Sequence, residues 1–150
     1  MKEWYANSDS TNKSISMYLL ISGDRLLGDI QQEFSHEYPF LKIEFFKKAA
    51  GGREQAVKML PQHLQVKDAW TGRKSGGDLE IDGAMTVEAL EQAFLDRFGL
   101  QAQLFRRSGN LWLETTITDA WTLRQQNEHG REISTERRKP PENSDYDLNR

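Results

Sequence analysis

Residues 19–38, LLISGDRLLGDIQQEFSHEY, and residues 79–98, LEIDGAMTVEALEQAFLDRF, carry one pattern at a constant offset (94 − 34 = 60). Leu19, Ile21, Gly23, Leu27, Ile30, Gln32, Phe34 and Tyr38 are answered by Leu79, Ile81, Gly83, Val87, Leu90, Gln92, Phe94 and Phe98. After a one-residue slip at Leu41 the echo resumes, with Phe45-Phe46-Lys47-Lys48 matched by Leu104-Phe105-Arg106-Arg107. Two copies of one supersecondary unit tend to pack about a pseudo-twofold axis and share a core. The pattern therefore bears on architecture before it bears on chemistry.

Each copy reads as strand, helix, strand. Ile15, Met17, Leu19 and Ile21 alternate with Ser16, Tyr18, Leu20 and Ser22, the period of a strand with one apolar face. Gly23-Asp24 turns the chain, and Leu27, Ile30, Phe34 and Tyr38 then recur at helical spacing until Pro39. Leu41, Ile43 and Phe45 alternate as a second strand. In the second copy Thr86 is placed to cap a helix and Gly99 to end it. Ser108-Gly109-Asn110 has hairpin-loop chemistry and leads into a further strand, Leu111 to Thr116. Asp119 or Thr122 would cap a short last helix ended by Gly130.

These elements predict an α+β, two-layer sandwich built from two pseudo-symmetric repeats, ferredoxin-like or split βαβ, with an added hairpin strand and a short C-terminal helix. Its first strands would be central and its second strands outside them. The single domain would span 14–133: repeat 1 over 15–48, an insertion over 49–77, repeat 2 over 78–107, and hairpin and helix over 108–130. In the insertion, Glu54 to Leu60 reads as a helix turn ended by Pro61. The string Asp68-Ala69-Trp70-Thr71 echoes Asp119-Ala120-Trp121-Thr122 at an offset of 51 (119 − 68). Residues 1–13 and 134–150 read as mobile tails, being polar and, in the second, interrupted by Pro140-Pro141.

Composition narrows the function classes. The chain has 150 residues, 37% hydrophobic residues and no cysteine, so disulfides, thiolate metal sites and cysteine nucleophiles are excluded. A net charge of −3 argues against a partner held by bulk electrostatics, such as duplex DNA. No apolar run approaches the roughly 18 residues that span a bilayer, and a cytoplasmic protein is the expectation. His36, His63 and His129 show no ligand spacing, so no metal site is read. The glycine pairs lack the lysine and serine of a phosphate loop, and no cofactor is implied.

Strand alternation supplies the one candidate surface. If Met17, Leu19, Ile21, Ile43, Phe45, Leu79, Ile81, Ala102 and Leu104 face the helices, then Tyr18, Leu20, Phe46, Phe105 and Trp112 share the opposite face. That face would bind another protein or a second copy of this chain, unless the insertion or last helix covers it. The alternative is single-stranded RNA stacked on Tyr18, Phe46, Phe105 and Trp112, with Lys42, Lys47, Arg106 and Arg107 at the phosphates; the acidic Glu44 and Glu114 oppose it. Lys47, Lys48, Arg106 and Arg107, equivalent in the two copies, read either as strand-end guards or as an anion site. A small enzyme would have to use Glu114, Asp119 and Asn127; no catalytic residue is assigned.

The strings Tyr38 to Phe46 (YPFLKIEFF), Arg106 to Thr116 (RRSGNLWLETT) and Thr118 to Asn127 (TDAWTLRQQN) resemble a family of small bacterial proteins without assigned function, over about Ser14 to Gly130. The resemblance carries no activity. It implies that Trp112, Trp121 and Gln125 to Asn127 form one cluster around the hairpin.

Overall fold

The computed structural model describes residues 16–48, 57–72 and 75–136. The predicted N-terminal tail, the larger part of the predicted C-terminal tail, and residues 49–56 and 73–74 of the insertion lie outside the described residues, as does the side chain of Lys48. The elements run β1 (Ser16–Ile21), α1 (Leu27–Glu37), β2 (Leu41–Lys48), β3 (Val57–Met59), a 3-10 turn (Val66–Asp68), β4 (Gly77–Asp82), α2 (Val87–Phe98), β5 (Gln101–Ser108), β6 (Leu111–Glu114) and α3 (Leu123–Glu136). The fold is mixed α+β, and all its strand pairings are antiparallel.

The strands form two sheets where one was expected. Among the described residues β1 pairs only with β4, and a separate sheet has the order β3-β2-β5-β6. First strands therefore lie beside each other and second strands beside each other, and the split βαβ order with its central first strands is corrected. Alternation assigns a residue to a face; it does not choose the neighbouring strand.

The core is the apolar set read from both periods. Leu19, Ile21, Leu79 and Ile81 from the small sheet are buried together with Leu41, Ile43, Phe45 and Leu104 from the large one. Leu27, Ile30 and Phe34 of α1 and Val87, Leu90, Phe94 and Phe98 of α2 fill the space against them. α1 packs on β1 and β2, while α2 packs on β5. Phe94 meets Phe45 edge to face with ring centroids 5.4 Å apart, an arrangement aromatic quadrupoles favour.

Neither of the first two helices relies on side chains alone to satisfy its first N–H groups. Leu27 and Gly28 donate to the carbonyls of Leu64 and Gln62, and Val87 and Glu88 to those of Trp121 and Asp119. In return Val66 and Lys67 donate to Arg25 and Gly23, and Leu123 and Arg124 to Met85 and Gly83. Gly28 permits this approach, because a Cβ there would stand 2.8 Å from the Gln62 Cβ. The downstream partners are spaced by 57 residues (121 − 64 = 57; 119 − 62 = 57), and not by the 51 of the Asp68-Ala69-Trp70-Thr71 echo.

The predicted caps of α2 are present: Thr86 Oγ1 accepts from the Ala89 N–H, and Gly99 adopts φ 65°. α3 opens on a capping box, Thr122 Oγ1 accepting from Gln125 N–H at 3.1 Å and Gln125 Oε1 accepting from Thr122 N–H at 2.8 Å. Replacing Thr122 with alanine is expected to cost about 1 kcal/mol in a denaturant titration; an unchanged midpoint would mean that packing alone holds this helix.

Two boundaries differ from the reading above. Glu54 to Leu60 is not a helix turn where described, since Val57–Met59 is strand β3 on β2. Gly130 does not end α3, which runs on to Glu136. A Cβ at Gly130 would lie 2.9 Å from the Phe40 Cβ and 3.0 Å from the Arg106 Cγ; the glycine serves close approach instead of termination. Ser134, placed in the tail by sequence, is buried and its Oγ accepts from Gly109 N–H at 3.1 Å.

Candidate functional site

The outer face of the four-stranded sheet is the surface on which the predicted aromatics meet. Register places Phe46 opposite Gln101, Glu44 opposite Gln103 and Lys42 opposite Phe105. On the next pair Phe105 lies opposite Glu114 and Arg107 opposite Trp112. These residues alternate with Ile43, Phe45 and Leu104 of the core and stand on the opposite face, where Glu44 alone of the named residues is buried.

α3 does not cover this face. Its buried stripe, Leu123, Gln126, Gly130 and Ser134, meets Arg106 and Phe40: Arg106 Nη1 donates to Gln126 Oε1 at 2.9 Å, and Asn127 Oδ1 accepts from Phe40 N–H at 2.8 Å. Arg106 shares the face of Leu104, so the helix lies on the core side. The described part of the insertion extends the sheet through β3. Phe46, Phe105 and Trp112 remain half-exposed.

Cations frame the aromatic rings. Lys42 Nζ stands 5.6 Å from the Phe105 centroid and 5.1 Å from that of Trp112, and the Arg107 guanidinium 5.4 Å from Trp112. Such contacts hold flat rings in place while leaving part of their area open. Glu44, paired with Lys42 at 3.2 Å, turns toward α1, where Gln31 Nε2 reaches its carboxylate. Half the acidic charge read onto the face is thus already engaged.

Tyr18 and Leu20 stand elsewhere. They are 58% and 49% exposed, but on β1, which pairs with β4 in the two-stranded sheet. The five-residue surface predicted from alternation therefore divides into Phe46, Phe105 and Trp112 on one sheet and Tyr18 and Leu20 on the other.

Lys47, Arg106 and Arg107, the basic residues of that set whose side chains are described, do not converge either. Lys47 Nζ donates to the Asp68 carbonyl at 2.9 Å, tying β2 to the 3-10 turn, as Arg106 ties β5 to α3. Burial holds the Arg106 guanidinium below its ordinary pKa. Arg107 lies on the outer face and donates to the Gly109 carbonyl. Glu114, Asp119 and Asn127 are likewise dispersed: Glu114 is exposed on β6, the Asp119 carbonyl caps α2, and Asn127 holds Phe40. Trp121 packs edge-on against His129 at 5.4 Å, whereas Trp112 lies on the outer sheet face, so the cluster of both tryptophans implied by the resemblance is not formed. No group of three or more potential metal ligands occurs among the described residues, and no described helix is long and apolar enough to cross a membrane.

One residue with unusual electrostatics escaped the sequence reading. Glu91 Oε2 accepts from Leu104 N–H at 2.9 Å, and burial, with Asp119 and Glu88 adding repulsion, pushes its carboxyl up to about 7. Its signal was present at the offset of 60, which equates it with Gln31, whose amide donates to the Ile43 carbonyl at 2.5 Å. Comparisons with protein-family models, curated proteins and solved structures return no match.

Proposed function

We propose that this chain is a non-enzymatic interaction module that recruits another protein on the outer face of its four-stranded sheet. The observation that carries the reading is the row Lys42, Phe105, Trp112 and Arg107: half-exposed rings held by cations, on a part of the outer face that α3 leaves uncovered. Aromatic residues and arginine are the types that dominate binding energy at protein interfaces.

We also infer that the chain is two copies of one unit related by a pseudo-twofold axis. Leu19 pairs with Leu79 and Glu44 with Gln103, and each pair joins positions that the sequence echo equates (79 − 19 = 60; 103 − 44 = 59). The reciprocal bonds at 23–28 and 62–67 recur at 83–88 and 119–124. On this reading the second copy differs from the first in its two-residue hairpin loop and in α3.

Replacing Phe46 and Phe105 together with serine tests the interaction reading. The expected result is a folded chain, judged by circular dichroism and melting, that has lost capture of its partner from host extract. A double variant that captures as well as the parent rules out the face; one that unfolds shows the two rings to be core. Single-stranded RNA is the second reading, and its expected result is absence of binding, because Lys47 and Arg106 are tied to the chain's own carbonyl and amide oxygens.

A further inference from the structure

The two edges of the four-stranded sheet are built differently. β3 has three residues with Lys58 at its centre, the short, charged edge by which proteins discourage pairing with other chains. β6 reads Leu-Trp-Leu-Glu, without lysine or proline, and leaves Leu111 64% and Leu113 41% exposed. We propose that β6 is the pairing edge of a symmetric dimer, in which a second copy of this chain adds its own β6 antiparallel and continues the sheet across a twofold axis. The pairing is argued from this edge, and its register from the outer-face side chains beside it.

Backbone geometry fixes which groups are free. The two-residue loop Gly109-Asn110 puts Ser108 and Leu111 in a hydrogen-bonded pair. Leu111 and Leu113 then turn their main-chain groups toward β5, a phase that continues in the Thr115 N–H donating to the Leu104 carbonyl at 3.3 Å. Trp112 and Glu114 are left with N–H and C=O directed outward. A second β6 satisfies them only in registers that set even-numbered residues opposite even-numbered ones.

Charge selects among these registers. Pairing Glu114 with its own copy would juxtapose two carboxylates, which costs free energy on a sheet. Pairing Trp112 with Trp112 would place Glu114 opposite Asn110. Pairing Trp112 with Glu114 of the second copy sets up the row Arg107, Trp112, Glu114, Phe105, Lys42 across the interface, twice over. Glu114 takes no hydrogen bond or ion pair from another described residue; there it comes within two strand spacings, roughly 10 Å, of the second copy's Arg107, a span the two extended side chains can close. Leu113 meets Leu113 on the axis, and the two aromatic faces become one surface.

Light scattering on the full chain over a concentration series tests this, with circular dichroism confirming the fold of each variant. The parent is expected to pass from one-chain to two-chain mass as concentration rises. Glu114→Arg, an exposed change, and Arg107→Glu each place like charges across the axis and are expected to remain monomeric; mixed in equal amounts they restore complementary charges in both rows and are expected to form the two-chain species. A parent that stays monomeric over the series overturns the proposal. So does a Glu114→Arg variant that dimerises as the parent does, a result that stands even if Arg107→Glu unfolds. Two folded single variants that fail to associate on mixing overturn the register.

Discussion

Truncating Phe94 to alanine is expected to cost about 3–5 kcal/mol of stability, and truncating Phe34 a similar amount. Both rings are fully buried. Phe94 lies between Phe45 and Phe98, and Phe34 against Tyr38 at 5.1 Å. Removing either ring leaves a cavity bounded by helix and sheet that neighbours fixed in two directions cannot fill. Urea unfolding followed by circular dichroism reads the loss as a lower midpoint at constant slope. A loss below about 1 kcal/mol at either site, against the 3–5 kcal/mol range for buried aromatics, would show that the two helices do not occupy equivalent places in the core.

Glu91→Gln is expected to stabilise the protein at alkaline pH and to leave it almost unchanged in acid. The folded carboxyl titrates at about 7 against 4.5 for the ordinary group, raised first by burial. Between those values the folded chain holds a proton that the unfolded chain releases, so stability falls as pH rises. The group's contribution is full below pH 4.5 and lost as pH passes through about 7. At 1.36 kcal/mol per unit the upper figure is roughly 3 kcal/mol, which solvent reaching the carboxyl reduces. Glutamine retains an oxygen for the Leu104 N–H and carries no charge. Urea titrations of parent and variant at pH 5 and pH 8 give the difference directly, since all other groups cancel. Parallel pH profiles would contradict the burial argument.

The alternation of Leu19 and Ile21, the helical stripes ending in Phe34 and Phe94, the Thr86 cap and the Gly109-Asn110 turn were legible because each is written in residues close together in the chain. Sheet order was not. Whether Ile21 lies beside Gly77 or beside a second strand depends on pairing between distant segments, and an apolar face suits either. Gly130 has the chemistry of a helix end and the place of a close contact, a choice made by Phe40, ninety residues earlier in sequence. The outer aromatics of β2, β5 and β6 were found, since alternation within paired strands is local; Tyr18 and Leu20 were added to them only by assuming one sheet. Glu91 was missed because a glutamate on a helix stripe margin looks solvated until the Leu104 N–H is seen to need it.

The most direct test of the interaction module is site-specific photo-crosslinking in the living host, with a photoreactive residue at Gln103, in the middle of the outer face, and in a separate chain at Glu80, exposed on the two-stranded sheet. The account predicts one defined adduct from position 103, identified by mass spectrometry as a protein, and none from position 80. Adducts from position 80 alone, or none from either position in a chain that is folded and expressed, would contradict it.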